Sequence, residues 1–415
     1  MKVRNLTFAG IIVLLFMSIT LISGCWDSTE PDNLATVLGI GMDQGNEGEI
    51  QLTLQIISPA SSKGGDQEPQ PGQQPVIVLS AEGKSLEDAI KKLQKDFPRR
   101  LYFAHAKIIV FGRKLAAFGI DTELDDLYRG REFRGLDWII VADNTAREVL
   151  QTKVDTEKLP AKGIDDMMTE FKKVAVSYPI NVNEFLLRSK NPARASFAPL
   201  VRLEARESGQ QLGGDQAKSN EDKSVNQKKL TFGKTAVFRN YHLVGTITTE
   251  ETSGLLLLLN QLTGEVVQVP VRFAGGSEGE ISLRIVKGRT RISPVSSDEQ
   301  IKFEISGYAE AEITGSPPVG LDLTDPAELQ KIAAQVEQIL TQRVEATLTR
   351  AQQNLDTDFV GFADTLNRSN PTQWQELKPD WDKKFPDVPY SINLSIRISN
   401  IGKVQQPTTE LERGD

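Results

Sequence analysis

The sequence predicts a multidomain α+β chain with mixed, mostly antiparallel sheets, packed helices and one long amphipathic helix. Three observations predict it. Apolar residues alternate over short runs, as at Ile50, Leu52, Leu54 and Ile56, the period of a strand with one buried face. Capped segments with helical spacing stand between such runs. The 415 residues, 39% hydrophobic and 25% charged, are ordinary globular material in a quantity that one core seldom holds.

The chain opens on a leader. Lys2 and Arg4 precede an apolar run from Phe8 to Ile22, short for a membrane span and of signal-core length. Ile22-Ser23-Gly24-Cys25 then places a branched apolar residue and two small ones before the only cysteine. A bacterial lipoprotein signal has this order, because small side chains admit the peptidase and the thiol receives a diacylglycerol. The freed amine of Cys25 can take a third acyl chain. At about 0.8 kcal/mol per buried methylene, two or three chains anchor a protein essentially permanently. Residues 1–24 are therefore expected to be a signal peptide, with Cys25 lipidated outside the cytoplasmic membrane. No thiol then remains for a disulfide, a zinc site or cysteine catalysis.

After a polar tether at 26–33, Ala35 to Met42 reads as a buried strand. Gly45 and Gly48 suggest a hairpin into the strand at Ile50 to Ile56. Residues 61–75, rich in Gln, Pro, Gly and Ser, read as a mobile loop, and Val76 to Ser80 as the next strand. Ser85 with Asp88 caps a helix whose inner face is Leu86, Ala89, Ile90 and Leu93, stopped by Pro98. Ala106 to Phe111 and Leu136 to Val141 are strands around a helical stretch at Leu115 to Tyr128, and Thr145 with Glu148 caps another helix. The stretch 205–229 has abundant polar residues and no aromatic one. It is expected to be a flexible linker or loop between an N-terminal domain (25–204) and a C-terminal one (230–402), with a polar tail at 403–415. In the second domain, Leu230 to Phe238 and His242 to Thr248 form a hairpin turning at Asn240, followed by a leucine-rich helix from Glu250 to Leu262. Strands follow at Val266 to Phe273, Ile281 to Val286 and Ile301 to Ile313. Asp325-Pro326-Ala327-Glu328 is a helix start, and Leu329, Ile332, Val336, Leu340, Val344, Leu348 and Leu355 continue it at helical spacing for roughly 45 Å. Tyr390 to Ser399 is the last strand.

Charge and motif exclude several functions. The net charge is −8, and −10 once residues 1–24 with Lys2 and Arg4 are removed. That balance argues against nucleic acid and against broad adhesion to anionic lipid, leaving the acyl group to hold the membrane. His105 and His242, the two histidines, fall in different predicted domains, the first in a structural role and the second at an exposed turn. Gly39-Ile40-Gly41-Met42-Asp43-Gln44-Gly45 has the wrong spacing for a dinucleotide loop and is followed by a strand, so close strand packing explains it. The adjacent carboxylates Asp125-Asp126 and Glu250-Glu251 point in different directions on a helix and read as solvated faces. No phosphate loop or nucleophile elbow is present. Catalytic, metal and cofactor-binding residues are accordingly expected to be none. Arg99-Arg100, Arg129, Arg131 and Arg134 are the dense basic groups, read as solvated surface or as a docking patch for an acidic partner. Trp374, Trp381 and Phe385 read as core, with an exposed binding cluster as the alternative.

Four patches in order resemble the Ger(x)C family, the lipoprotein C subunits of GerA-type nutrient germinant receptors of spores. They are Gly24-Cys25-Trp26-Asp27 with Asn33 to Asp43; Pro98 to Lys107; Thr235 to Phe238 with Leu243-Val244-Gly245 and the leucine-rich helix; and Asp358 to Phe362 through Trp374 and Trp381 to Pro389. Segments 61–75 and 205–229 depart from the pattern, and the stretch after Phe362 is more polar than the family's. The resemblance implies a non-catalytic subunit, lipid-anchored on the outer face of the spore inner membrane, acting with two integral-membrane partners, the A and B subunits, to trigger germination. It carries over one functional residue, Cys25, and leaves direct small-molecule binding open. A lipid-anchored solute-binding protein is the alternative and would require two similar lobes around a cleft. A wall hydrolase is a weaker one.

Overall fold

The computed structural model describes residues 33–58, 75–205 apart from 131, 153, 155, 156, 158 and 192, then 228–273, 277–296, 301–315, 321 and 323–400. The signal peptide, Cys25, residues 61–74 of the expected loop, most of the 205–229 break and the polar tail lie outside them.

β1 (Leu34–Gln44) and β2 (Ile50–Ile57) form the expected hairpin, where Gly45 N donates to Glu49 O at 2.7 Å. β3 (Val76–Gly83) pairs with β2, and α1 (Leu86–Asp96) begins where Ser85 Oγ accepts from Asp88 N at 3.2 Å. Next come β4 (Arg100–Tyr102), β5 (Ile108–Gly112), α2 (Arg113–Phe118), α3 (Asp121–Arg129), β6 (Trp138–Ala142), α4 (Ala146–Gln151), α5 (Pro160–Val174), β7 (Ile180–Asn181), α6 (Val182–Ser189) and β8 (Ser196–Ala205). Beyond the 205–229 break, β9 (Lys228–Arg239) and β10 (His242–Ile247) turn at Asn240, as the sequence predicts. Among the described residues these strands make one sheet in the order β10-β9-β8-β6-β5-β1-β2-β3, with β4 beside β1 and β7 beside β6. Its centre, β8-β6-β5-β1, is parallel and its two flanks are antiparallel. The 205–229 break thus joins two strands that pair with each other, and β9 and β10 complete the first sheet.

Both faces of that sheet are covered, so its central strands are apolar on both sides. Ile109, Phe111, Ile139, Val141 and Leu200 pack under α1, α2, α3 and α6. Ile108, Val110, Ile140, Ala142 and Val201 pack under α4 and α5. Gly39 and Gly41 lie beneath the second pair of helices; a Cβ on either would come within 2.9 Å of Leu150. Close strand packing therefore accounts for the glycines of that run. Buried Gln55 ties the same layer together, donating to Leu150 O at 2.7 Å and accepting from Ala161 N at 2.8 Å.

α7 (Thr249–Leu258) leads into the second sheet, β11 (Val266–Phe273), β12 (Ser277–Ser296), β13 (Ile301–Thr314) and β14 (Tyr390–Asn400), antiparallel except for the last pair. α8 (Pro326–Thr349) starts at Asp325, whose side chain accepts from Ala327 N at 2.8 Å. It buries Ile332, Val336, Leu340, Val344 and Leu348 and ends in a π-helical turn at Arg350–Asn354. α9 (Phe362–Ser369), α10 (Pro371–Leu377) and α11 (Trp381–Lys384) close the core. The second core includes Phe197 and Val237 of the first sheet, so the two sheets share apolar contacts.

The architecture is the expected α+β one, with particular differences. The stretch expected to be one helix at Leu115 to Tyr128 is two, divided at Gly119, where φ is +131°. The strand expected at Ile281 to Val286 is twenty residues long. A bulge between Ile285 and Lys287 keeps the strand running past Val286, and Gly288 lies where a Cβ would meet Leu257 Cδ1 at 2.6 Å. Leu136, expected at the start of β6, precedes it and is exposed.

Candidate functional site

Cys25, the functional residue the sequence nominates, lies outside the described residues. The first described residue, Asn33, is exposed, and the next, Leu34, is in parallel register with Arg100. The chain therefore enters the fold beside Arg99 and Arg100, at the end of the sheet where β1, β5 and β6 begin.

The sequence's basic groups converge on this end. Arg100 donates to Glu132 Oε1 at 2.7 Å, while Glu132 Oε2 accepts from Phe103 N at 3.0 Å. These bonds fix the loop between α3 and β6 against β4. The loop's other end is held by Asn183, whose N donates to Gly135 O at 3.0 Å. Arg129 is exposed and pairs with Asp125 one turn back at 2.6 Å, and Arg134 is exposed between the two attachments. Arg131 lies outside the described residues. Beside the loop, a groove of about 800 Å³ runs between α1 and β4, floored by Leu101, Phe103 and Phe133 and walled by Ile90, Lys91 and Arg100. The Phe103 and Phe133 rings are 5.3 Å apart. On the opposite face of the sheet, Lys107 reaches Asp165 at 3.6 Å and Lys172 lies 4.5 Å over the Trp138 ring.

Asp137 closes the same loop and is buried; burial pushes its carboxyl up to about 6 against the pull of Lys107 and Arg134. A carboxyl raised by folding contributes its stability below the unfolded value, near 4, and loses it as pH rises through the folded value. Unfolding free energy should therefore fall by about 2 kcal/mol between pH 4 and pH 7 through this group alone. Asp137→Asn should remove that slope and be the more stable form at neutral pH. Urea titrations of both proteins across this range check it; parallel curves would refute the assignment.

The other nominated residues take structural places. Trp374, Trp381 and Phe385 are 2%, 4% and 1% exposed, so the cluster is core, as first expected. Phe303 stacks on Phe362 at 4.2 Å, and Trp374 meets Trp381 edge-on at 5.6 Å. Their hub is Asp358, which opens the Asp358-to-Phe362 patch of the sequence. It accepts from Gly361, Phe362 and Ala363 N at 2.8, 3.1 and 2.6 Å and from Trp381 Nε1 at 3.2 Å. Burial raises its carboxyl while these four donors pull the other way. Asp43, also buried, accepts from Ala146 and Arg147 N at the start of α4. His105 is exposed, its ring 5.6 Å from Tyr102. His242, exposed and 2.7 Å through Nδ1 from Asn240 O, lies at the start of β10 in the first sheet. Glu123 is buried and raised by desolvation, with only like charges, Asp121 and Asp126, acting on it. Among the described residues no group of three or more His, Cys, Asp or Glu is arranged to hold a metal, and no helix is long and apolar enough to cross a membrane. The two sheets, ten strands against four, are not the similar lobes of a solute-binding protein.

Two family models match in tandem: the spore germination protein N-terminal domain over residues 27–203, and the spore germination B3/GerAC-like C-terminal domain over 233–402. The chain belongs to the Ger(x)C family of spore germination proteins. Its relatives in Bacillus subtilis (strain 168) include spore germination protein KC, 29% identical over 95% of this chain and 96% of that one. Spore germination proteins B3 and A3 are 23% and 20% identical, covering 94% and 93% of this chain and 97% and 96% of their own. The crystal structure of the GerBC protein aligns with a TM-score of 0.54 over 87% of this chain and 97% of that one, at 19% identity, a likeness of fold. This Ger(x)C chain thus spans nearly the whole length of its relatives.

Proposed function

We propose that this Ger(x)C chain is the lipid-anchored, non-catalytic subunit of a nutrient germinant receptor. It acts with two integral-membrane subunits on the outer face of the spore inner membrane. The observation that carries the reading is the pairing of both germination domains, in order, with a leader that ends at Cys25. Burial of Trp374, Trp381 and Phe385, the aromatics that could have formed a binding cluster, supports a scaffold role. On this reading residues 25–204 and 230–402 are the two domains, with β9 and β10 crossing back to complete the first sheet.

Cys25→Ala tests it. The variant should leave the membrane fraction of spores and abolish germination through this receptor, because acyl chains worth about 0.8 kcal/mol per methylene are lost entirely. Fractionation and germination assays against the wild type read the result. A variant that still sediments with membranes and germinates normally would sink the anchor.

A further inference from the structure

The end of the first sheet where the chain enters the fold combines three features. Positive charge is the first. Arg99, Arg134 and Lys172 have no acid within ion-pair distance among the described residues, while the acids Glu132 and Asp165 are already engaged by Arg100 and Lys107. Asp125 and Glu170 are likewise engaged, by Arg129 and Lys173, while Asp96 of α1 and Asp126 of α3 are exposed. The second is an exposed apolar side chain at the tip: Leu136 is 66% exposed, although Glu132 and Asn183 hold its loop rigidly on both sides. A fixed loop with a solvent-facing leucine is a feature in need of a partner. The third is position. Cys25 precedes Asn33 by eight residues, a reach of at most about 28 Å.

We propose that this end of the sheet, with Leu136 at its tip and Arg99, Arg100, Arg134 and Lys172 around it, docks on anionic phospholipid headgroups of the bilayer that holds Cys25. The inference rests on the lipid anchor and adds an orientation to it. The net charge of −8, or −10 once residues 1–24 are removed, does not oppose it. Fields are screened beyond about 8–10 Å, so the surface facing the lipid decides, and the acids elsewhere do not. The tether supplies the encounter, the basic residues the attraction, and Leu136 shallow insertion at the interface. Both grooved and aromatic-lined parts of this end, Phe103 and Phe133 included, then stand next to the membrane, where integral-membrane partners would meet them.

The sole cysteine gives the test its probe. Acylation consumes the Cys25 thiol, so Leu136→Cys in the lipidated chain carries a unique label site, and Lys114→Cys, at the opposite end of β5, is the control. Each chain is labelled with an environment-sensitive fluorophore and reconstituted on vesicles of phosphatidylcholine or of phosphatidylcholine with phosphatidylglycerol. The label at 136 should shift to the blue and resist an aqueous quencher on phosphatidylglycerol vesicles, while the label at 114 stays unchanged. Each basic residue near an anionic surface is worth about a fivefold factor, so Arg99→Glu with Arg134→Glu should reduce the docked fraction by at least about tenfold, as should high salt. A chain that floats with phosphatidylcholine vesicles but keeps its label at 136 as open to quencher as that at 114 overturns the docking alone. A chain that fails to float removes the anchor and the docking together. If the charge reversals release another germination protein while the label at 136 stays aqueous, the face is a protein interface and the proposal is wrong.

Discussion

Arg343→Met should destabilise the protein by about 3–5 kcal/mol at neutral pH, the range for breaking a buried ion pair from one side. Arg343 and Glu265 retain only 19% and 14% exposure of their side chains, and Arg343 Nη1 meets Glu265 Oε1 at 2.5 Å. Ser253 Oγ donates to the other oxygen at 2.7 Å. The triad ties α8 to α7 and to the turn before β11. Burial already raises the Glu265 carboxyl, and Arg343 is the strongest influence lowering it. Without the guanidinium the carboxyl rises further. A raised acid keeps its stability contribution below the unfolded value, near 4.3, and loses it as pH climbs through the folded value. The deficit of Arg343→Met should therefore be small at pH 4 and grow toward neutrality. Adding Glu265→Gln, which removes the stranded charge and keeps an acceptor for Ser253, should recover most of the loss. Urea unfolding at both pH extremes, read through Trp374 and Trp381, measures it. A deficit that does not change with pH, or a double variant no better than the single, would show that the ion pair is not what holds this junction.

The sequence was legible where one local rule acted alone. The caps at Ser85, Thr145 and Asp325 are all made, and the Leu329-to-Leu348 periodicity became the buried stripe of α8. It was illegible where the decisive partner is distant in the chain. The continuation of β12 past Val286 depends on packing of Gly288 against Leu257 and Leu262 of a preceding segment. The membership of β9 and β10 in the first sheet depends on pairing across the 205–229 break. Asp358 looks like an ordinary loop acid, and its four donors converge only after folding, one of them from Trp381. Cys25, outside the described residues, is a local reading of another kind, a signal that enzymes would read in the unfolded chain. The basic residues near 100 and 134 were visible as runs, but only the pairing of Leu34 with Arg100 sets them beside the point where the tether enters.

Gly254→Val should cost at least about 3 kcal/mol, the upper end of the overpacking range. Gly254 sits inside α7 where α8 crosses it. A Cβ there would stand 2.2 Å from Thr347 Oγ1 and 2.4 Å from Arg343 O, and the second of these is backbone that cannot swing aside. Thr347 Oγ1 also lies 2.8 Å from Glu251 O, so the two helices are stitched at the same point. Gly254→Ala separates the competing effects. Alanine should gain about 1 kcal/mol of helix propensity over glycine. Against that, the helices must move apart and give up packing of Leu255 and Leu258, both buried in the second core, at about 1–3 kcal/mol. Net destabilisation by alanine, and a larger one by valine, is the expected order. Ser253 of α7 and Arg343 of α8 both bond Glu265, so Gly254→Ala combined with Arg343→Met should fall short of additivity, the ion pair being already disturbed by the separated helices. Midpoints and slopes of urea unfolding for the single and double variants decide the matter. An alanine variant more stable than the wild type would mean that the crossing yields without loss, and that propensity, not close approach, governs this glycine.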